Sequence, residues 1–383
     1  MVVALDVHKK ETVGFVVNGD LESGTWLTVP TTNEHLEKLV PQLEGHVVII
    51  EASTSGKAVA RFLKNRGANV RLVQADVLTG HVRYSKSDKL DAKDLARIGL
   101  IGGYKTCYIP TADEEELRGT VRHILDIRQQ QARLKNQAKA ILQRNLVPEP
   151  KGNLDSEHVR ARWGHLALPG AEKASLQSKL AVFARLREEE ENAMLDLCRL
   201  ARRHDAMKVL MTIPGVEMYT AATVVAFCGD MTRFPDAKKV AAFTGLTPRL
   251  HQSGETLRHG RITKRGPNVL RFVLIEATHH VVRFRGRLKN KYDRLARRTG
   301  KAVAIVATAR TLITAMWSMV RNGTPYDGHG SERAIAKIWR LETVAELVER
   351  GHVDAARRLL RVSDVADVHE RWKRGATRMV PTL

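Results

Sequence analysis

The chain has 383 residues, 63 Lys/Arg against 42 Asp/Glu and a formal net charge of +21, a balance that points to a polyanionic partner. Its length allows a sizeable core and two or three domains. Three cysteines, Cys107, Cys198 and Cys228, lack metal-like spacing and argue against a disulfide framework. Without a leader-like N-terminus or a run of about 18 apolar residues, a soluble cytoplasmic protein is expected. Aromatic residues are 5% of the total, so base stacking is not an evident large contribution to binding. Charge is uneven: residues 1–100 carry 13 Lys/Arg and 12 Asp/Glu, whereas residues 244–299 carry 14 against 3. A nearly neutral first region and a strongly basic later one imply a division of labour.

Val2–Val7 is a short apolar run that reads as a buried strand. Thr12–Val17 follows as a second strand before an Asn18-Gly-Asp turn signal, and Leu27–Val29 as a third. Thr32-Asn33 caps a helical pattern through Leu36, Leu39, Val40 and Leu43. Val47–Ile50 is a fourth, fully apolar strand ending at Glu51. Lys57–Arg66 reads as a helix stopped by Gly67, Val70–Val73 as a strand, and Asp88–Leu100 as a helix. Three strands in a row, then strands alternating with helices, predict a mixed α/β sheet.

Acidic residues recur at telling places in this region. Asp6 and Glu51 each lie at the carboxyl end of a buried strand, where open α/β sheets bind ligands. Asp88 and Asp91 are three apart, so a helix puts both carboxylates on one face, and Asp94 extends the row. Such a cluster needs a compensating cation, and hard divalent ions such as Mg²⁺ take oxygen ligands of this kind. The plainer alternative makes Asp6 a turn residue, Glu51 a helix cap, and Asp88 and Asp91 a solvated face beside Lys89 and Lys93.

Glu114–Leu146 is a long helical segment whose Leu117, Ile124, Ile127, Leu134, Ala138 and Ile141 recur at a 3–4 spacing. It predicts a coiled coil suited to dimerisation or to holding domains apart; the alternative is an intramolecular hairpin with the helical Ala174–Arg203. Residues 152–170 read as the connection. Ile213-Pro-Gly-Val216 followed by a helix over Thr220–Cys228 resembles a helix-hairpin-helix, whose turn, at Gly215, presents backbone N–H groups to a phosphate. Asp236–Phe243, Val269–Phe284, Arg287–Arg298 and Lys301–Arg321 follow as helices, and the tail from Gly328 carries helical patterns over Ile335–Leu347 and Val353–Leu360.

Between the Asp236–Phe243 and Val269–Phe284 helices, residues 244–266 hold four glycines, one proline and few apolar residues, and read as a long loop. In its middle, Ser253 stands before a glycine and among Arg249, Arg258, Arg261, Lys264 and Arg265. A lone hydroxyl set in basic side chains suggests phosphate chemistry; the plainer reading is a surface loop that only grips nucleic acid.

Taken together, Leu5-Asp-Val-His-Lys9, Ile50-Glu51, Lys86-Ser-Asp-Lys-Leu-Asp-Ala-Lys-Asp-Leu95, Leu134-Lys-Asn-Gln-Ala-Lys139, Ile213-Pro-Gly-Val216, Thr244-Gly-Leu-Thr-Pro248, Gln252-Ser-Gly254 and Gly260-Arg-Ile-Thr-Lys-Arg-Gly266 resemble the insertion sequence 110 family of DEDD transposases and their Piv-like invertase relatives, in unbroken order over residues 2–326. Ser87 stands where threonine is more usual in the family. The resemblance implies an α/β plus all-α protein: a RuvC-like (RNase H-like) domain over 1–104, a helical coiled-coil linker over 105–205, and a helical transposase domain over 206–327, with a tail over 328–383 of no assigned role. It implies Asp6, Glu51, Asp88 and Asp91 as the four acids and Ser253 as the nucleophile. It also implies bound Mg²⁺, donor and target DNA, a structured guide RNA and a homo-oligomer. The expected reaction is strand exchange through a covalent phosphoserine, with Arg258, Arg261, Lys264 and Arg265 steadying the backbone. The competing expectations are a metal-dependent junction nuclease in which water attacks, and a non-catalytic nucleic-acid-binding protein.

Overall fold

A computed structural model describes residues 1–74, 88–253, 256–326 and 332–362, with the backbone alone described at Asp88, over 250–253 and over 256–259. The chain divides into two compact units, Met1–Ala112 and Asp113–Leu383.

The first unit is built on a six-stranded mixed sheet of β1 (Val2–Val7), β2 (Glu11–Val17), β3 (Thr25–Pro30), β4 (Val47–Glu51), β5 (Asn69–Val73) and β6 (Thr106–Cys107). The order is β3-β2-β1-β4-β5-β6. β1, β2 and β3 form an antiparallel meander, β1, β4 and β5 run parallel, and β6 returns antiparallel to β5. β1 is buried along its whole length because it is central and covered on both faces, the situation that turns a strand into an unbroken apolar run. Val3, Leu5, Val48 and Ile50 pack with α1 (Asn33–Leu39) and α2 (Thr54–Lys64) on one face. Val2, Ala4 and Ile49 pack with Ala92, Leu95 and Ala96 of α3 (Asp88–Ile101) on the other. This arrangement is consistent with a RuvC-like DEDD domain. β6 is invisible in the sequence because two residues carry no periodicity.

The second unit is helical. α4 (Ala112–Arg144) and α6 (Gly170–Ala201) run antiparallel, as successive ion pairs show: Arg199–Glu116 at 3.7 Å, Arg128–Glu190 at 2.8 Å and Arg144–Glu172 at 2.5 Å. The apolar row read as a coiled-coil seam is therefore covered within the chain, as the hairpin alternative supposed. Residues 152–170, expected as a plain connection, contain α5 (Glu157–Gly164). Val159 and Trp163, four apart on one face of it, are buried with Ile141, Leu176 and Phe183.

Beyond α6, helices α7 (Asp205–Met211), α8 (Met218–Cys228), α9 (Ala237–Phe243), α10 (Asn268–Val281), α11 (Arg287–Thr299) and α12 (Lys301–Asn322) share one core with the first turns of α4. The tail helices α13 (Glu332–Glu349) and α14 (Val353–Arg361) belong to it too, through Leu341, Val344, Ala345, Leu347, Ala356 and Leu359. Among the described helices only α12 is long and apolar enough to cross a membrane, and its Ile305, Leu312, Ile313 and Met316 are buried inside the protein.

Candidate functional site

In the first unit the parallel register of β1 and β4 pairs Leu5 with Ile50. Asp6 and Glu51 are the next residue on each strand, so they stand side by side at the carboxyl edge, on the same face as Ala4 and Ile49. That face is the one α3 covers. The helix runs opposite to β1: Gly99, near its end, comes so close to Val2 and Ile49 that an added Cβ would lie 2.6 and 2.9 Å from their side chains. From Gly99 back to Asp91 the helix rises about 12 Å, and from Val2 to Asp6 the strand advances about 13 Å. The acidic start of α3 is thus brought level with Asp6 and Glu51.

Asp6 is 7% exposed, and its Oδ2 lies 3.0 Å from Nε2 of the half-exposed His8. Glu51 is partly buried at the end of β4, in a turn made tight by Gly56. A Cβ at Gly56 would sit 2.1 Å from the Glu51 carbonyl oxygen, and the Gly56 N–H donates to Ser53 Oγ, the cap of α2, at 2.9 Å. Sequence reading misses Ser53 and Gly56, although a Ser-x-x-Gly start just after a strand acid is a readable cap signal. Asp91 is partly buried, whereas Asp94 is engaged by Arg97 at 2.8 Å. The Asp88 carboxylate lies outside the described residues. Among the described residues no three His, Cys, Asp or Glu side chains converge on a point where they could hold a metal ion. What fits a hard divalent ion is the donor chemistry, all carboxylate oxygen, together with the buried Asp6. A cavity of about 460 Å³ bordered by Lys9, Ser55, Arg61 and Phe62 lies between α1 and α2, the helices that cover the opposite face of the sheet.

In the second unit, the stretch read as a long loop is a two-stranded hairpin, β7 (Pro248–Ser253) and β8 (Thr256–Ile262). The register pairs Gln252 with Leu257 and Ser253 with Thr256, so Ser253 is the last residue of β7. The intervening Gly254-Glu255 lies outside the described residues. The strands escape sequence reading because their residues are mostly polar, without the apolar alternation of a half-buried sheet. Between the Pro248–Ile262 and Leu250–His259 pairs the register slips, leaving Gly260 and Arg261 opposite Arg249, the composition of a β-bulge. Arg249, Arg261, Lys264 and Arg265 are exposed; the side chains of Ser253 and Arg258 lie outside the described residues.

The base of this hairpin is held by two glycines. At Gly245 (φ 68°) a Cβ would sit 2.1 Å from the Arg265 carbonyl oxygen, and at Gly266 (φ 88°) 1.9 Å from that of Phe243. Lys264 N–H donates to Gly245 O at 3.1 Å, and Thr263 N–H to Thr247 O at 2.8 Å. Arg271 Nη1 reaches the carbonyls of Lys264 and Thr244 at 3.1 and 3.4 Å. The base of the hairpin is therefore fastened to the end of α9.

The Ile213-Pro-Gly-Val216 turn joins α7 to α8, as read from the sequence. Gly215 (φ 82°) lies against the backbone of α10, where a Cβ would be 2.9 Å from Val281 N. From the tail, the buried Lys337 donates to the carbonyls of Val216 and Ile213 at 2.8 and 3.2 Å. Burial lowers its ammonium to about 8. Arg340 adds an ion pair to Glu217 at 3.2 Å. Nothing in the sequence pattern of α13 distinguishes Lys337 from a solvated lysine.

Two family models match in chain order: the DEDD IS110 transposase model over residues 3–146 and the transposase IS116/IS110/IS902 family model over 207–293. The chain belongs to the IS110 family of transposases. Among its relatives, a probable family 20 transposase of Pseudomonas aeruginosa is 28% identical over 301 residues, 74% of this chain and 87% of the relative. The transposase for insertion sequence element IS1111A of Coxiella burnetii is 23% identical over 75% of this chain and 81% of its own. A pilin gene-inverting protein of Moraxella lacunata is 31% identical over a shorter stretch, 31% of this chain and 38% of the relative. This transposase is accordingly an enzyme that recombines DNA, of a family whose DEDD acids suggest dependence on a divalent metal.

Proposed function

We propose that the transposase cleaves and exchanges DNA strands through a covalent phosphoserine at Ser253. Two observations carry this reading, one in each unit: Asp6 and Glu51 side by side at the carboxyl edge of β1 and β4, and a serine that ends a basic hairpin. Asp6, Glu51, Asp88 and Asp91 would hold Mg²⁺, which supplies charge neutralisation at the scissile phosphate and the leaving oxygen. The Ser253 Oγ–H attacks phosphorus; the Oγ–P bond forms, the P–O3′ bond breaks, and the serine proton ends on the departing 3′ oxygen. The 5′ phosphate is left on the protein as a diester, so the reverse attack by another 3′ hydroxyl rejoins strands without ATP. Arg249, Arg258, Arg261, Lys264 and Arg265 bind the non-bridging oxygens and flanking backbone, and the Gly215 turn supports the same grip. A structured guide RNA pairs with donor and target, and the protein works as a homo-oligomer.

The test is incubation of the purified protein with its co-purifying RNA, labelled DNA carrying the element ends, and Mg²⁺, followed by a denaturing gel. A protein-linked DNA band that disappears in Ser253→Ala supports the reading. Cleavage that persists in Ser253→Ala without an adduct would establish water as the nucleophile, and an unchanged yield after ribonuclease would remove the RNA.

A further inference from the structure

The most concentrated positive charge outside the serine hairpin lies on α11. Arg287, Lys291, Arg294 and Arg298 fall at i, i+4, i+7 and i+11, one face of the helix, in a row about 16 Å long. α12 packs alongside and adds Arg310. The Lys291 ammonium donates to Thr311 Oγ1 of α12 at 2.5 Å. Its pKa is held below the usual range, first by burial and then by the neighbouring charges of Arg310 and Arg294. The one carboxylate of α11, Asp293, is taken by Lys289 at 3.0 Å. Among the described residues none of the five cations of the row has a carboxylate partner. Arg287, Arg294 and Arg298 lie at least partly open to solvent, as do Lys291 and Arg310.

Cations crowded on one face repel each other unless an external anion compensates them, and a single phosphate cannot span such a row. The one aromatic side chain of α11, Tyr292, is not at a position of the row, so there is no platform on which unpaired bases would stack. A duplex DNA backbone presents charge continuously, one per about 3.4 Å of axis on each strand, and meets the row along its length.

We propose that the Arg287–Lys291–Arg294–Arg298 face of α11, with Arg310 of α12, is a second DNA-binding surface that grips the backbone of a double helix without reading its sequence. This surface does not rest on the serine chemistry, only on the family's action on DNA. The test is fluorescence anisotropy of a labelled 30-bp DNA duplex against the full chain over a series of KCl concentrations. Arg294→Gln/Arg298→Gln removes two cations that would each neutralise a phosphate. The slope of log K against log[KCl] should become shallower by about 1.8, and the affinity at low salt should fall. Lys57→Gln/Lys64→Gln, the same charge change on exposed α2 residues, should leave the slope unchanged. An unchanged slope in the α11 variant overturns the proposal, as does an equal loss in the α2 control. A loss confined to double-stranded RNA of the same sequence also overturns it. The anisotropy assay does not read adduct formation, so the two readings fail separately. Thermal melting of each variant distinguishes weakened DNA binding from impaired folding.

Discussion

Replacing Gly266 by alanine tests whether the Ser253 hairpin is positioned by the close approach at its base. Two costs are added at this position. The left-handed backbone, φ 88°, penalises any Cβ by about 1–2 kcal/mol. The new methyl would also lie 1.9 Å from the Phe243 carbonyl oxygen, a backbone atom at the end of α9 that cannot swing aside as a side chain would. Overpacking of this kind costs about 1–3 kcal/mol, so the total is about 2–5 kcal/mol, or on the order of 5–15 °C in the melting of a unit this size. Gly323, the αL cap of α12, is the matched control. Its φ is 62° and a methyl added there would have no heavy atom within 4 Å, so Gly323→Ala meets the backbone cost alone. Circular dichroism melting of both variants, with the yield of the Ser253 adduct measured well below both transitions, separates stability from placement. Gly266→Ala should melt lower than Gly323→Ala and lose adduct even where it is fully folded, because a shifted base moves the attacking oxygen out of line. Equal melting of the two variants with full adduct yield would show that the approach of Gly266 to Phe243 does not position the hairpin.

Burial lowers the Lys337 ammonium to about 8, below its unfolded value of about 10.4. The unfolded chain then holds the extra proton between these two pH values, so stability should rise with pH across that window by about 3 kcal/mol; in Lys337→Met the rise should vanish from urea titrations at pH 7.5 and 10. Burial raises the Glu190 carboxyl, but hydrogen bonds and charge from Arg128, Gln131 and Arg187 outweigh it and leave its pKa lowered. Its contribution is present above the unfolded value and lost as pH falls through the folded one, so Glu190→Ala should cost about 2–3 kcal/mol at pH 7 and less at pH 3, measured by chemical denaturation. Asp6→Asn and Glu51→Gln should each abolish adduct formation while leaving anisotropy-measured DNA affinity unchanged; adduct at the parent's yield would remove that acid from the chemistry.

Local chemistry makes much of the first unit legible. The Val2–Val7 run reads as a strand covered on both faces, and the acids that end β1 and β4 are visible as interruptions of apolar runs. The i, i+3 spacing of Asp88 and Asp91 is likewise visible without coordinates. That Asp6 and Glu51 are neighbours depends on the parallel pairing of strands some forty residues apart, and that α3 starts above them depends on the direction in which it crosses the sheet. The serine stretch reads as a loop for a related reason. A polar two-stranded ribbon has too little apolar surface to announce itself, and Gly245 and Gly266 acquire their purpose only when the hairpin closes on itself and on the end of α9, supplying the carbonyl each must approach.

Most of the elements, the acidic and basic poles of the chain and the family signature are encoded locally, in residue order. Packing settles which helix covers the apolar row of α4, that the tail enters the core and pins the Ile213–Val216 turn through Lys337, and that α12 lies beside the basic row of α11. Periodicity is written within a segment, whereas partnership between segments is set by the packing of surfaces far apart in the chain.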